Sequence, residues 1–327
     1  MPINRREFVN YLGFGVTNLG LSSLLPEFVI NKPRQEDIFF KISLGEYSLN
    51  ALQAQEKHDT LTVPALAKKE FGIDAVEWVS LFWKKGTDKT FLNDLKQRCE
   101  DNGVKSLVIL VDIFEAQLGD LEKEKRNRAV ELHKPWIEAA AFLGCHSIRV
   151  NTDGFSLNGY GKPGNKEEVG RAAIDGYGKL LEICGKSGIN AIIQNHTGYS
   201  CDPNWLVSIL EQVKSPYAGT QVDPDHFEEL FLKGPTLENG ILYGDKYDRY
   251  DGIKKLMPYA KAVNAKSKAF NKDGNEVHTD YARFLEIVKK SGYTGYIGIE
   301  WEGKDLNSFE GIKATQQLLV REGKKLS

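Results

Sequence analysis

The chain has 327 residues, 41% of them hydrophobic, 10% aromatic and 27% charged, a composition that builds a folded core and excludes a disordered chain. Forty-three Lys and Arg against 45 Asp and Glu leave a net charge of −2, which argues against a protein that coats nucleic acid through a basic field. Cys99, Cys145, Cys184 and Cys201 show no C-x-x-C spacing, so neither a disulfide framework nor a zinc–thiolate site is expected.

The N-terminus reads Asn4-Arg5-Arg6-Glu7-Phe8 and continues as an apolar run to Leu25. Paired arginines, a Phe and a mildly apolar run are similar to a twin-arginine export signal. The other reading is a short amphipathic helix on the domain surface. On the export reading, residues 1–33 are leader and connector, residues 34–327 are the catalytic domain, and the mature protein is periplasmic. The run contains Asn10, Asn18 and several glycines, and no other segment reaches the ~18 apolar residues of a membrane span, so no stable span is expected.

From Ile38 onward, short apolar runs alternate with longer amphipathic ones. Ile38–Leu44 reads as a first strand, followed by a helical stretch to Glu70 that Gly72 stops. Ile73–Val79 is a second strand, and a helix from Asp88 ends at Asn102-Gly103. Val104–Val111 is the third strand, with a helix from Leu121 to Leu143. His146–Asn151 is the fourth, with a helix over Lys166–Lys186, and Ile189–Gln194 the fifth, with a helix over Pro203–Val213. Tyr217–Val222, Ala260–Asn264 and Tyr296–Glu300 are strands six to eight. Helices over Tyr250–Met257, Asp280–Lys290 and from Leu306 to about Arg321 accompany them. Eight strand–helix units predict an α/β chain folded as a single (β/α)8 TIM barrel. No G-x-G-x-x-G follows the first strand, so no nucleotide cofactor is expected.

A barrel places its chemistry at the C-terminal ends of its strands. Those ends carry Glu46-Tyr47, Glu77-Trp78, Asp112, then Arg149 with Asn151 and Asp153. They continue with Gln194-Asn195-His196, Asp223-Pro224-Asp225-His226, Asn264 with Lys266 and Lys268, and Glu300-Trp301-Glu302. Asp223, His226, Glu300 and Gln194 form an oxygen- and nitrogen-rich set without sulfur, which suits a divalent cation such as Mg²⁺, Mn²⁺ or Zn²⁺. Such a cation could polarise a sugar carbonyl while a nearby carboxylate moves the proton of the adjacent carbon. His226 is read either as part of this set or as a loop histidine stacked on Phe227. Lys266 is either a clamp for an enolate or phosphate or a solvated rim lysine.

Gln194-Asn195-His196, Asp223-x-x-His226 and Ile299-Glu300-Trp301-Glu302-Gly303, in that order on the last four strands, resemble the sugar phosphate isomerase/epimerase family of xylose isomerase-like barrels. The resemblance runs from about Ile38 to the C-terminus. Metal-binding members use Glu, Asp, His and Glu on strands five to eight, and these positions fall here on Gln194, Asp223, Asn264 and Glu300. An amide at two of the four makes weak metal ligands. The family's pair of proton-shuttling glutamates loses the one on strand five.

Glu300, His226 and Lys266 offer a base, an acid candidate and an electrostatic clamp and are the expected catalytic residues, and the resemblance places His226 at the family's substrate-binding histidine. Gln194, His196, Glu77, Trp78, Arg149 and Trp301 are the expected substrate contacts. The substrate is then a small carbohydrate, turned over by proton abstraction next to a carbonyl, with or without a metal at Asp223, Glu300, Gln194 and Asn264. The alternatives are a lyase or hydratase for oxidised glycosides, which needs one base and one acid, and a carbohydrate-binding barrel without turnover. A three-zinc endonuclease, which belongs to the same superfamily, fits least well, because the chain has only six histidines and no basic excess.

Overall fold

The structure, a computed structural model, describes residues 38–152, 165–196, 198–232 and 241–327. The expected leader and connector at 1–33 and the strand-four residue Asp153 lie outside the described residues. Eight parallel strands close into a barrel. In order around it they are β1 (Lys41–Gly45), β2 (Ala75–Val79), β3 (Lys105–Leu110), β4 (Ser147–Val150), β5 (Asn190–Gln194), β6 (Ala218–Val222), β9 (Ala260–Ser267) and β10 (Tyr296–Trp301). The last pairs back onto the first, with Ser43 opposite Gly298. The single TIM barrel expected from the strand–helix alternation is therefore the fold.

β7 (Glu228–Leu232) and β8 (Ile241–Lys246) are an antiparallel hairpin inserted between β6 and the next helix, where the sequence pattern predicted no element. The predicted seventh and eighth strands are thus β9 and β10. β9 runs on to Ser267, which takes Lys266 out of the expected rim loop and into the barrel wall.

The helices follow their predicted spans closely. After two short segments, α1 (Asn50–Ala54) and α2 (Val63–Leu66), come α3 (Lys89–Asn102), α4 (Lys123–Leu143), α5 (Lys166–Lys186), α6 (Pro203–Val213), α7 (Arg249–Leu256), α8 (Tyr281–Lys290) and α9 (Ser308–Leu326). Side chains of Asp88, Asp202 and Asp280 accept the first free amides of α3, α6 and α8, and Asn307 with Glu310 forms a capping box on α9. Gly144 ends α4 at φ 77°, a conformation that costs other residues strain. The one helix expected between the first two strands is broken instead. Asp59 accepts from the Leu61 amide and starts a new turn there, and the segment ends in a π turn, Ala67–Phe71. No helix among the described residues is long and apolar enough to cross a membrane.

Successive side chains of a strand face opposite sides, and this alternation sorts the barrel. Ile42, Leu44, Val76, Trp78, Ile148, Val150, Ile193, Ile297 and Ile299 are buried under the helices. The intervening positions, among them Ser43, Glu77, Arg149, Gln194, Gln221, Asn264, Lys266 and Glu300, face the interior and are polar yet buried.

Candidate active site

Two polar layers fill the upper barrel. In the lower one, Glu77 accepts from Ser43 Oγ at 2.7 Å and from Gln221 Nε2 at 2.8 Å, and the same Gln221 amide donates to Asn264 Oδ1 at 2.7 Å. Burial raises the Glu77 carboxyl to about 7, against the two hydrogen bonds that favour its ionised form. Glu77 is therefore part of the barrel floor, tied down by neighbours on both sides, and not the rim contact that its place near the end of the second predicted strand suggested.

The upper layer holds Gln194, Asp223, Lys266 and Glu300. Lys266 Nζ lies 3.3 Å from Asp223 Oδ2, 3.6 Å from Glu300 Oε1 and 2.9 Å from Glu302 Oε1. Gln194 Nε2 donates to Asp223 Oδ2 at 2.9 Å, and Asn264 Nδ2 donates to Glu300 Oε2 at 2.6 Å. The other Asp223 oxygen accepts the Asp225 amide at 2.9 Å. Burial works against the Lys266 ammonium, but Asp223, Glu300 and Glu302 outweigh it and hold the group well above the usual lysine range. For Glu300 burial wins: its carboxyl is pushed up to about 8, with Lys266 pulling the other way.

This arrangement tests the metal set expected from the sequence. Divalent cations take lone pairs from oxygen or imidazole nitrogen. Around Asp223 and Glu300 the neighbouring groups present N–H donors: the amide nitrogens of Gln194 and Asn264 and the Lys266 ammonium. The four residues proposed as ligands are brought together, but they do not fit a metal, because a cationic side chain already stands between the two carboxylates. No cluster of three or more His, Cys, Asp or Glu suited to a metal is found among the described residues.

On the rim, the Arg149 guanidinium forks onto Asp112, with Nη1 at 2.6 Å from Oδ1 and Nη2 at 3.3 Å from Oδ2, and Asn151 braces the same carboxylate at 2.9 Å. Burial raises the Asp112 carboxyl, but Arg149 outweighs it and holds the group low. The fork that was expected to grip substrate thus grips Asp112. Beside it, the rings of His196 and His226 lie 4.9 Å apart and tilted by 30°, so the ring that His226 packs against is that of His196. Burial and the positive groups nearby hold both imidazoles well below their usual range, in the neutral form. Nδ1 of each is buried with no hydrogen-bond partner among the described residues. Asn195 shapes this corner: it donates to the carbonyls of Asp223 and His226 at 2.8 and 3.0 Å and accepts the Asp223 amide at 2.9 Å.

Trp78 and Trp301 are corrections. Each follows an inward-facing glutamate by one residue, and alternation turns it outward. Trp78 is fully buried and meets Trp83 edge-on at 6.4 Å. Trp301 stacks on Phe270 at 5.8 Å and packs over Gly303 and Gly311. Neither reaches the mouth.

Three further residues take part that the sequence reading gave no role in the site. Gln221 links the Glu77 and Asn264 side chains, and its position two residues before Asp223 was the signal for it. Glu302 pairs with Lys266. Tyr47 stacks on Phe82 at 5.9 Å, and its hydroxyl is raised by burial and by the charges of Glu302 and Glu300, which places it at the mouth.

Residues 65–322 match the family described as xylose isomerase-like TIM barrel. Among solved structures, the chain is similar to an L-ribulose 3-epimerase, at TM-score 0.65 and 14% identity over 88% of this chain and 95% of that one. It is similar to the apo form of a 3-keto-D-glucoside 4-epimerase from E. coli, at TM-score 0.62 and 14% identity over 86% and 99%. A sugar phosphate isomerase/epimerase from Parabacteroides distasonis matches at TM-score 0.61 and 16% identity over 86% and 93%. At such identities the likeness is one of fold. No curated protein matches the chain.

Proposed function

Because the chain belongs to the xylose isomerase-like TIM barrel family, we propose that it is a sugar isomerase or epimerase-type enzyme that moves a proton at the carbon beside a carbonyl, with Glu300 taking that proton. The observation that carries this reading is the Glu300 carboxyl itself. It stands at the top of β10, one oxygen fixed by Asn264 at 2.6 Å and the other 3.6 Å from the Lys266 ammonium. Burial raises it to about 8, the range in which one group both accepts and returns a proton near neutral pH. Neutral His196 and His226 supply imidazoles for sugar hydroxyls on the same rim.

Gln194 supports chemistry on one face of the substrate. An amide cannot take a proton, and this one points its N–H at Asp223. A one-base reaction, such as exchange between aldose and ketose, suits the site better than inversion at one carbon by two opposed bases. The same geometry favours, as a second reading, elimination from an oxidised glycoside, which also needs a single base. The periplasmic location expected from Arg5-Arg6 belongs to this proposal and favours an unphosphorylated sugar.

The test is proton NMR of a panel of keto-sugars and 3-keto-glycosides in D₂O with the wild-type chain and Glu300→Gln. Isomerase chemistry exchanges the C–H next to the carbonyl, and elimination releases the glycosidic leaving group. Both should vanish in the variant. Saturable binding of panel sugars without any exchange would identify a binding barrel and end the enzymatic reading.

A further inference from the structure

The metal set of this barrel type is present in outline, yet a lysine stands in its middle. Lys266 reaches inward from β9, on the same side of the strand as Asn264, and its side chain is 1% exposed. Its ammonium faces carboxylates from three places: Asp223 after β6, Glu300 at the top of β10 and Glu302 beyond it. Asp223 and Glu300 are the two charged positions that survive from the family's ligand set. The two altered positions, Gln194 and Asn264, turn N–H groups to those carboxylates at 2.9 and 2.6 Å. The departures are mutually consistent. A centre that loses a dication no longer needs four ligands with lone pairs, and a centre that gains an ammonium needs acceptors, which Asp223, Glu300 and Glu302 are.

We propose that the Lys266 ammonium takes the place of a divalent cation in this barrel, so that the centre is held together and charged by a cation built into the chain. The inference rests on the proposed function only for its consequence, that Lys266 is the positive group nearest a substrate carbonyl. Of its three partners, Glu302 is the most exposed, at 22% of its side chain, against 0% for Asp223 and 9% for Glu300. Glu302 is therefore the contact that a substrate oxygen replaces. When Glu300 takes the proton, the C–H bond breaks, an O–H bond forms on Glu300, and the electron pair moves to the carbonyl oxygen. The ammonium holds that enolate oxygen without giving up its own proton. The ammonium acts by charge alone: the three carboxylates keep it protonated, which rules it out as a Schiff-base nucleophile.

The test reads metal, not sugar turnover, so its failure and that of the proposed function are separable. The whole chain is stripped with chelator and titrated with Mn²⁺, Mg²⁺ or Zn²⁺ alone, following the unfolding temperature and the bound metal per chain. The wild type should show no saturable shift and retain less than about 0.1 metal per chain. Lys266→Ala leaves Asp223, Glu300 and Glu302 around a gap and should gain a saturable upward shift with Mn²⁺ or Zn²⁺. If that variant does not fold, Gln194→Glu serves. It adds a carboxylate beside an intact lysine and should still bind no metal, whereas tight binding would overturn the proposal. Stoichiometric metal on the wild type that disappears in Asp223→Asn, or a folded Lys266→Ala indifferent to all three ions, would overturn it equally.

Discussion

Glu77 on β2 fills the space that Gly298 on β10 leaves inside the barrel: a Cβ at position 298 would lie 2.4 Å from Glu77 Oε1 and 2.8 Å from its carboxyl carbon. Glu77 is held by Ser43 and Gln221 and cannot swing aside without breaking a buried hydrogen bond. Gly298→Ala should therefore destabilise the chain by about 1–3 kcal/mol, the usual cost of overpacking. In urea unfolding, the double variant Gly298→Ala/Glu77→Ala should recover part of that loss beyond the sum of the single effects. Strict additivity would show that the two positions do not touch.

The same carboxyl makes stability depend on pH. Burial raises Glu77 from 4.5 to about 7 in the folded chain. Between those values the folded state keeps a proton that the unfolded chain has released, so stability falls as pH rises through the window and levels off above it. A shift of this size corresponds to about 3 kcal/mol at most. Glu77→Gln removes the titration. Its stability relative to wild type should improve by up to that amount between pH 4.5 and 7.5 in denaturant titrations, and a pH-independent difference would mean that Glu77 titrates normally. Glu300 shifts in the same direction, but it is present in both proteins and largely cancels from the difference.

The sequence made the barrel legible because the alternation of strand and helix patterns persists through eight units, and because Asp88, Asp202, Asp280 and Asn307 mark helix starts chemically. It also picked out residues that the structure gathers at one end of the barrel, Gln194, Asp223, Lys266 and Glu300. Which of two adjacent residues faces the interior was harder to read. Glu77 and Trp78, or Glu300 and Trp301, look equally well placed at a strand end until the parity of the strand is fixed, and a one-residue step exchanges barrel interior for helix packing. Fixing it on Glu300 would have turned Trp301 outward. The role of Lys266 was hidden for another reason. β9 outlasts its apolar run, so nothing in Lys266-Ser267-Lys268 announces a strand, and the three carboxylates that hold the ammonium come from segments 34 to 43 residues away. The β7–β8 hairpin went unread although Gly234-Pro235 and Asn239-Gly240 between its strands are turn dipeptides, because the eight strand–helix units were complete without it.

Trp301 gives a prediction that separates packing from binding. Its indole stacks on Phe270 and covers Gly303 and Gly311 outside the barrel. Trp301→Ala should cost about 3–5 kcal/mol, as large aromatic truncations in cores do, while the affinity of the folded variant for any bound sugar stays within a factor of about 2 of wild type, the change expected when no contact to the ligand is removed. Calorimetric titration at a temperature where the variant is folded measures this. A tenfold or larger loss of affinity would return Trp301 to the mouth.

Glu300 carries the last prediction. Glu300→Gln keeps the shape of the side chain and an oxygen for the Asn264 amide, and removes the proton acceptor. General-base catalysis contributes about 10²–10⁴-fold, so kcat on the sugar identified by exchange should fall by that factor. KM should change little if the carboxylate acts mainly in the transition state. The pH profile supplies the signature that a structural role would not move. Because burial raises the carboxyl to about 8, the reactive carboxylate form grows as pH rises, and kcat/KM of the wild type should climb toward about pH 8 and level above it. The variant should lose that limb. His226 stays uncharged across the same range, so a group titrating there is not this imidazole. If Glu300→Gln keeps wild-type turnover and neither protein shows a limb near pH 8, the base lies elsewhere, and His226, whose neutral ring can accept a proton, becomes the residue to replace next.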